Sequence, residues 1–366
     1  MLRCMLRRET DKMAKRVRCF MVLCMLPILL MFSSCENKAD SVIKGMQMGQ
    51  TQEEAEAVSG RLEVHFIDVG QGDASLITCD GHAMLFDMGE NDKSVLLQFY
   101  LMRQGIDHLD YVIGSHPEAD HIGGMDVILL KYDCDKVILP DVVVNTATYR
   151  DVLEAMEYKN CESTVPQVGE TYDLGEAFFT IIAPNEDDYG DNINNYSVGI
   201  RLVHGENAFI FTGDAEIQAE EDMLGNGIPL DADVLKVGHH GSHDASSAEF
   251  VEAVSPKYAV ISCGKENDYG HPHKETLAIL EDAGAEVFRT DEMGNIIAIS
   301  DGTDLTWNTE MEDVWQGDYY VGNKNNRKLH RSTCSSLPKE RNQVIFESKE
   351  EAVKAGFTDF CSGCKP

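Results

Sequence analysis

The chain has 366 residues and a formal net charge of −32 at pH 7. Residues 35–317 hold 15 basic and 55 acidic residues, whereas both ends of the chain are basic. So acidic a segment repels polyanions, which argues against tight, nonspecific nucleic-acid binding but does not exclude brief hydrolysis at a metal-rich cleft. The length allows one large domain or two smaller ones.

Residues 1–34 have the order of segments that is typical of a secretion signal. Basic residues precede an apolar stretch from Phe20 to Phe32, and small residues follow it. The stretch is short for a membrane span and Pro27 interrupts it, so we predict a signal peptide rather than a transmembrane helix. The alternative is an uncleaved N-terminal anchor.

Cys35 directly follows two serines, an arrangement that resembles the bacterial lipoprotein signal. The resemblance implies lipidation of Cys35 and attachment to the membrane, on the outer face of a bacterial cell membrane or in the periplasm. Residues 35–60 are polar and rich in glutamate, which predicts a flexible tether. No protein partner is inferred.

Beyond residue 60, short β-branched stretches alternate with stretches of helical periodicity. The predicted strands are Leu62–Val69, Ala74–Cys79, Ala83–Phe86, Tyr111–Ile113, Val137–Leu139, Phe178–Ile182, Val198–Val203, Ala208–Phe211, Val234–Val237, Ala259–Ser262, Val287–Arg289 and Ile296–Ile299. The predicted helices are Ser94–Arg103, Met125–Tyr132, Val152–Tyr158, a helix through Val254 that Ser246 or Ser247 caps, and Lys274–Asp282. Periodicity alone supports a mixed α/β domain, which we place at residues 61–308.

The most informative stretch is residues 115–124, where four metal-competent side chains occur within six positions. They are His116, Glu118, Asp120 and His121. Because they directly follow a predicted strand, they are expected to point at one place. Imidazole and carboxylate together suit zinc, manganese or iron better than magnesium or calcium. The alternative is a polar turn before the next helix.

Other polar residues also follow the C-terminal ends of predicted strands. Asp87 follows one strand, Asp214 follows another, and His239 and His240 follow a third. Two sheets with helices on their outer faces would gather these ends along one edge. The sequence therefore predicts a four-layer αββα sandwich.

Several of these residues have alternative interpretations. Asp68 and Asp87 each follow an apolar strand, and their carboxylates could simply bond turn amides. Asp214 could instead be the N-cap of the helix that follows it. One of His239 and His240 is expected to be structural or to support a ligand.

A set of motifs resembles those of metallo-β-lactamase-fold hydrolases, and specifically the nuclease-type domain attached to ComEC DNA-uptake channels. The motifs lie, in order, at residues 66–74, 85–89, 115–124, 212–215, 233–242 and 269–273. The resemblance implies the metallo-β-lactamase fold and one or two divalent metals, zinc or manganese, in the cleft.

The resemblance implies two metal positions. His116 and Glu118 would bind the first metal, although the family usually has a second histidine where this chain has Glu118. A further histidine of the family pattern is absent, and residues 194–197 occupy its place. The first site is therefore expected to be weaker and more tolerant of manganese.

The second metal would be bound by Asp120 and His121, and Asp214 would bridge both metals. Either His239 or His240 would complete the second site, and spacing leaves open which one does. Asp120 would also orient the attacking water and take its proton, which makes it a predicted catalytic residue.

His271 is the second predicted catalytic residue, because it could act as an electrophile or protonate the leaving group. Further residues are expected to support the ligands or to contact substrate. They are Asp68, Asp73, Asp87, Asn195, Ser197 and His273.

The resemblance further implies a metal-activated water that cleaves phosphodiesters, with DNA as the favoured substrate. Two alternatives stay open because the fold serves many functions. One is a hydrolase of another ester, such as a phosphorylcholine ester or a lactone. The other is a noncatalytic, metal-bearing protein that binds nucleic acid or an envelope polymer.

Residues 319–366 contain a Cys3His set with zinc-like spacing, namely His330, Cys334, Cys361 and Cys364. So short a segment hardly builds a core unaided, and we expect it to bind a metal or to dock onto the body. It resembles the metal-binding module of Ada-type DNA-repair proteins, which implies one zinc ion. The alternative is an empty or disulfide-linked set.

Overall fold

The computed structural model describes residues 60–310 and 319–366. The predicted signal peptide, Cys35 and the tether up to residue 59 lie outside this part of the chain. Within it, none of the helices combines the length and the apolar composition that crossing a membrane requires.

Strands and helices alternate along the described residues. The strands are β1 (Leu62–Phe66), β2 (Ala74–Cys79), β3 (His82–Met88), β4 (His108–Ile113), β5 (Asp133–Ile138), β6 (Ser163–Thr164), β7 (Thr171–Leu174), β8 (Ala177–Ala183), β9 (Gly199–His204), β10 (Asn207–Phe211), β11 (Val234–Lys236), β12 (Tyr258–Ile261), β13 (Glu286–Arg289), β14 (Asn295–Ser300), β15 (Leu305–Glu310), β16 (Tyr320–Asn323), β17 (Lys328–Arg331), β18 (Gln343–Phe346) and β19 (Asp359–Phe360). The α-helices are α1 (Ser94–Arg103), α2 (Ala119–Ile122), α3 (Met125–Lys131), α4 (Ala147–Lys159), α5 (Ile217–Gly225), α6 (Ala248–Val254), α7 (Lys274–Asp282), α8 (Thr290–Met293) and α9 (Lys349–Lys354).

Two mixed sheets form the body. The first has eight strands in the order β15-β14-β1-β2-β3-β4-β5-β6, and the second has seven in the order β13-β12-β11-β10-β9-β8-β7. The pairs from β3 to β6 are parallel in the first sheet, and the pairs from β10 to β13 are parallel in the second. Since the carboxyl ends of parallel strands meet at one edge, each sheet presents such an edge to the loops that follow.

The central strands are buried on both faces, which explains their continuous apolar sequence. In β3, Met84 and Phe86 enter the core between the two sheets, whereas Leu85 enters the core under the helices. Helices α1, α3 and α4 cover the outer face of the first sheet, and α5, α6 and α7 cover that of the second. The prediction of a four-layer αββα sandwich is confirmed.

Three strands of the body were not predicted, and β1 ends three residues earlier than predicted. Strand β6 has only two residues, both polar, and β7 has only four, so β7 is too short for its alternation of exposed and buried residues to stand out in the sequence. Strand β15 pairs along the edge with β14 and continues the sheet to Glu310. Strand β1 ends at Phe66, because the chain then turns through a glycine-rich loop towards β2.

A third, four-stranded sheet lies in residues 319–366, in the order β18-β16-β17-β19. Its apolar side chains, including Phe346 and Phe357, join the core that α1, α3 and α4 form on the first sheet. Gln98 of α1 accepts from the backbone N–H of Ile345 at 2.7 Å and donates to the carbonyl of Gln343 at 3.1 Å. The C-terminal domain is therefore docked on the helical layer of the body.

Candidate metal centre

The loops after four strands place the predicted ligands at one edge of the sandwich. Asp87 lies near the end of β3, His116 follows β4, Asp214 follows β10, and His240 follows β11. The pairs β3–β4 and β10–β11 are both parallel, so the two carboxyl edges bring these loops together.

Four side chains form the tightest group at this edge, with ligand atoms that all lie within 4.8 Å of one another. They are Asp120, His121, Asp214 and His240. Asp214 Oδ1 lies 3.2 Å from His121 Nε2, and Asp214 Oδ2 lies 3.4 Å from His240 Nε2. Asp120 Oδ2 lies 3.3 Å from His240 Nε2. The group contains two carboxylates and two imidazoles, a donor set that suits zinc or manganese.

A test of fit comes from the polar atoms that face this group. Four buried ligand atoms form no hydrogen bond of good geometry with any described residue, namely Nε2 of His116, His121 and His240, and Oδ1 of Asp214, although the His121 and Asp214 atoms lie 3.2 Å apart as an ion pair. Burying a polar atom without a partner costs free energy. A divalent cation within the tight group would be a partner for the atoms of His121, His240 and Asp214, and a second cation would be needed for His116 Nε2.

His116 lies beside this group and is fully buried. Its Nδ1 lies 3.0 Å from Ser115 Oγ and 3.4 Å from Ser197 Oγ, and its ring centroid lies 4.2 Å from that of His121. Burial is the main reason why the pKa of His116 falls to about 3, which keeps the ring neutral. A neutral imidazole is the form that binds a metal.

Glu118, expected to bind a metal with His116, contacts that histidine only loosely. Its Oε2 lies 4.0 Å from His116 Nε2, and its side chain is 51% exposed. The pKa of the Glu118 carboxyl is raised, mainly because the group is partly buried. The structure thus places Glu118 at the open side of the group, above His116.

The two adjacent histidines occupy different positions. His240 is buried and belongs to the tight group, whereas His239 is 21% exposed and its Nε2 lies 3.6 Å from Asp214 Oδ2. Both have left-handed backbone angles, with φ of 49° and 53°, and their ring centroids lie 6.1 Å apart. His240 is therefore the better candidate for the second site, and His239 approaches Asp214 from the solvent side.

Asp87 and Asp73 hold two of the histidines in place. Asp87 Oδ2 lies 2.9 Å from His121 Nδ1, and Asp87 Oδ1 accepts from the backbone N–H of Ser115 at 2.7 Å. Asp73 Oδ1 lies 3.2 Å from His240 Nδ1. A carboxylate on the far nitrogen of a metal-binding histidine fixes its tautomer and orientation.

The electrostatics of the group are dominated by the mutual attraction of carboxylates and imidazoles. Burial alone would raise the pKa of Asp214 and Asp120, but His121 and His240 outweigh it; the pKa of Asp120 falls to about 2 and that of Asp214 lies well below its ordinary value. Both carboxylates are therefore ionised at neutral pH, as metal binding requires.

Sequence reasoning did not single out three residues near the centre, of which Ser115 contacts the tight group directly and the other two contact its neighbours. Ser115 contacts His116 and His121 through Oγ, Lys236 forms a buried ion pair with Asp73 at 2.7 Å, and Glu216 lies 3.6 Å from His239. A lysine inside the apolar strand β11 was the available signal for Lys236, because a buried cation needs a partner. The sequence offered no comparable signal for Glu216.

Two of the other predicted residues hold the loops of the centre. Ser197 Oγ accepts from the backbone N–H of Asp214 at 3.1 Å, and Asn195 Oδ1 accepts from that of Glu216 at 3.0 Å. Asp68 lies outside the group. Its Oδ1 accepts a hydrogen bond from the backbone N–H of Gly70 at 3.0 Å, which agrees with the alternative interpretation that Asp68 bonds a turn amide.

His271 and His273 contact each other edge to face, with ring centroids 4.9 Å apart, but only His271 is in ring contact with the histidines of the centre. The ring centroid of His271 lies 5.7 Å from that of His239 and 6.2 Å from that of His240, so His271 borders the centre. Burial, followed by the neighbouring His240 ring, lowers the pKa of His271 to about 4. His273 instead contacts His243. Its Nδ1 accepts a hydrogen bond from the backbone N–H of His243 at 3.0 Å.

A second group of metal-competent side chains lies in the C-terminal domain. Its members, with ligand atoms within 4.8 Å of one another, are His330, Cys334, Cys361 and Cys364. Hydrogen bonds from the backbone N–H groups of Cys364 and Gly363 lower the pKa of Cys361 to about 7. All the cysteines of the described residues carry free thiols. Three sulfurs and one imidazole are the donor set of a structural zinc site.

Comparison with known proteins assigns families to two parts of the chain. Residues 67–265 match the Metallo-beta-lactamase superfamily, and residues 309–366 match the Metal binding domain of Ada. The first match covers more than half of the chain and contains the tight group, and the second contains all four side chains of the C-terminal group.

Individual relatives match the body. The chain is 31% identical over 261 residues to ComE operon protein 3 of Bacillus subtilis (strain 168), a match covering 65% of this chain and 33% of that protein. It is 31% identical over 243 residues to Recombination protein 2 of Haemophilus influenzae, covering 64% of this chain and 28% of that protein. This chain therefore spans about a third of the length of these relatives. The solved structure of the metallo-beta-lactamase fold protein YhfI from Bacillus subtilis is 12% identical, with a TM-score of 0.45, over 66% of this chain and all of that one.

Proposed function

This chain belongs to the metallo-beta-lactamase superfamily and carries a C-terminal metal-binding domain of Ada, and from that premise we propose that it is a metal-dependent phosphodiesterase acting on DNA. The observation that carries the proposal is the buried group of Asp120, His121, Asp214 and His240, whose ligand atoms lie within 4.8 Å of one another, with the buried His116 Nε2 beside it without a hydrogen bond. A centre that only stabilised the fold would not need a neighbouring face open to solvent, yet Glu118 and His239 lie partly exposed beside it.

The second metal position of the proposal consists of the tight group. Asp120, His121 and His240 would hold the ion, and Asp214 would bridge it to the first position. A divalent metal there lowers the pKa of a bound water and offsets the charge of phosphate oxygens. Asp120, which is only partly buried, would accept a hydrogen bond from the attacking water and orient it.

The first metal position is proposed at His116 with Glu118. One carboxylate that is half exposed and one imidazole make a weak donor set, so this position should exchange its metal more readily and accept manganese. His271, at the border of the centre, would donate a ring N–H to a phosphate or leaving-group oxygen.

The substrate class rests on charge and on the relatives. Phosphodiester oxygens are the ligands that a bridged pair of divalent metals stabilises best, and two metals would offset part of the negative charge of the body. One relative is named Recombination protein 2, which is consistent with a nucleic-acid substrate.

The test is an assay of the full mature chain with manganese or zinc on bis-p-nitrophenyl phosphate, single-stranded DNA and a lactone. We expect cleavage of the two phosphodiesters and loss of activity on chelation. Asp120→Ala should lower the rate about a hundredfold or more, because orientation of the nucleophile is lost. Asp231→Ala, an exposed aspartate paired with Arg201, is the matched control. Cleavage of the lactone alone would contradict the proposed phosphodiesterase activity and would indicate that the substrate is another ester.

We further propose that the protein is exported and anchored to the membrane through lipidated Cys35. In a bacterial host supplied with a labelled fatty acid, the wild-type chain should incorporate label and fractionate with membranes. Cys35→Ser should do neither, while Cys161→Ser should behave as the wild type. A labelled Cys35→Ser protein would contradict the anchor.

A further inference from the structure

A cleft of about 770 Å³ begins at Asp120 and ends against the C-terminal domain. Body residues form one wall, and the C-terminal domain forms the other. The cleft is lined by Lys93, Asp120 and Tyr269 of the body and by Asn325, Arg341 and Asn342 of the C-terminal domain, among others. The candidate metal centre is therefore continuous with a surface to which both domains contribute.

The wall from the C-terminal domain is held firmly on the body. The buried Lys324 ammonium forms ion pairs with Asp126 of α3 and, at 2.9 Å, with Asp151 of α4. The backbone N–H of Lys324 donates to the carbonyl of Asn342, which ties together the two tail segments that line the cleft. Because this wall is already fixed, its side chains can bind a ligand with little loss of conformational entropy.

The charges of the cleft limit what it can hold. Asp151 is paired with Lys324, and Asp120 belongs to the metal centre, so the lining offers Lys93 and Arg341 as cations opposite Glu90 and Asp92. Such a balance would repel the dense charge of a duplex. The cleft can instead bind a chain whose phosphates are well separated, and one of these phosphates can form a salt bridge with the guanidinium of Arg341.

An exposed aromatic ring lies between the cleft and the metal centre. Tyr269 is 67% exposed and stacks on His271, with ring centroids 5.6 Å apart and an angle of 22° between the planes. His271 in turn borders His239. An exposed, stacked ring next to a catalytic centre suits the flat face of a nucleobase, and base stacking is insensitive to sequence.

We propose that the C-terminal domain forms one wall of the substrate cleft, where Arg341 binds a backbone phosphate of a single-stranded nucleic acid whose neighbouring base stacks on Tyr269. The scissile phosphodiester then lies at Asp120. This inference rests on the proposed phosphodiesterase activity, and it gives the C-terminal domain a role in substrate choice in addition to its metal site.

The experiment compares Arg341→Ala and Tyr269→Ala with matched controls in the full, metal-loaded chain. Lys354→Ala removes the same charge from an 81% exposed lysine of the same domain, outside the cleft. Tyr269→Phe keeps the ring. Hydrolysis of bis-p-nitrophenyl phosphate and of a long single-stranded oligonucleotide is measured, together with oligonucleotide binding by fluorescence anisotropy over a range of salt concentrations.

For Arg341→Ala we expect kcat/KM on the oligonucleotide to fall about tenfold, the size of one charge-assisted contact, and a much smaller effect on bis-p-nitrophenyl phosphate. The slope of log affinity against log salt concentration should decrease by about 0.7. Tyr269→Ala should weaken binding about tenfold with little change of that slope, while Tyr269→Phe and Lys354→Ala should resemble the wild type.

The proposal is overturned if Arg341→Ala behaves as Lys354→Ala, or if both substrates lose activity equally. If Arg341→Ala weakens binding but Tyr269→Ala does not, the occupant is a polyanion without bases and the single-strand assignment is wrong. If the wild type hydrolyses neither substrate, the proposed function fails, and the anisotropy measurements alone still decide whether the cleft binds a strand.

Discussion

At the scale of single residues, a buried cation lies behind the candidate metal centre. Lys236 is 3% exposed, and its Nζ donates to Asp73 Oδ2 at 2.7 Å and to the carbonyl of Val237 at 3.1 Å. Burial would raise the pKa of Asp73, but Lys236 and then His240 outweigh it and lower that pKa. His240 Nδ1 lies 3.1 Å from the carbonyl oxygen of Ser262 and 3.2 Å from Asp73 Oδ1, so an ionised Asp73 helps that carbonyl to hold the ring with its Nε2 towards the centre.

Lys236→Met is expected to weaken metal binding at the cleft by about tenfold or more, since outer-shell partners of metal-binding histidines typically contribute that much. It should also destabilise the fold by about 3 kcal/mol, because Asp73 loses its cation while remaining buried. Competition with a chromophoric chelator gives the affinity, and thermal unfolding gives the stability.

Lys257→Met is the matched control, because Lys257 also pairs with an aspartate at 2.7 Å but is 72% exposed. Exposed ion pairs contribute little, so this variant should keep its metal affinity and nearly all its stability. Wild-type metal affinity in Lys236→Met would show that Asp73 does not position His240.

At the scale of elements, three loops interlock at the edge of the sandwich. Gly213, between β10 and α5, has φ of +54°, and a Cβ there would lie 2.6 Å from Ser115 Cβ. Its carbonyl accepts from the backbone N–H of His239 at 3.1 Å. The loop after β10 therefore touches the loops after both β4 and β11, and its close approach requires a residue without a side chain.

Gly213→Ala should destabilise the protein by about 1–3 kcal/mol, because it combines an unfavourable backbone conformation with a clash against Ser115. It should also lower metal affinity at the cleft, since Asp214 is displaced. Gly225→Ala is the control: Gly225 is the last residue of α5, and a Cβ there would meet nothing within 4 Å. That variant should be neutral or slightly stabilising in chemical denaturation. Equal stabilities of the two variants would contradict the interlocking.

At the scale of the whole molecule, the body and the C-terminal domain share one apolar core. Phe346 and Phe357 of the C-terminal domain pack in the same cluster as Leu97 and Val127 of the body. The guanidinium of Arg327 also lies 3.6 Å from the centre of the Tyr158 ring. Because these contacts join the body and the C-terminal domain, loss of structure in the C-terminal domain should also destabilise the body.

Cys361→Ser is therefore expected to remove one equivalent of zinc and to lower the melting temperature of the whole molecule by several degrees. Elemental analysis measures the zinc content, and differential scanning calorimetry measures the transition. Cys161→Ser, which changes a partly buried thiol outside the group, should keep its zinc. Unchanged zinc content in Cys361→Ser would contradict the predicted zinc site. The stability of the C-terminal domain would then have to come from its docking on the body.

The sequence by itself determined the mixed α/β class and the stretches from which the centre is built, and the resemblance of its motifs implied the αββα sandwich. It could do so because strand and helix periodicities and a dense cluster such as His116–His121 are local signals. The prediction of the site residues stays a prediction. Their arrangement was less accessible, because it depends on side chains that meet from distant parts of the chain.

Only the tertiary structure decided which residues approach each other at that edge. The left-handed turn at His239 and His240 buries the His240 ring and leaves the His239 ring 21% exposed, and no spacing rule distinguishes them. Lys236 acquires its role only through the aspartate of another sheet, and Arg341 only through docking of the C-terminal domain. The physical reason is that side-chain direction and long-range packing are set when the sheets and domains assemble, so a local pattern of residue types cannot contain them.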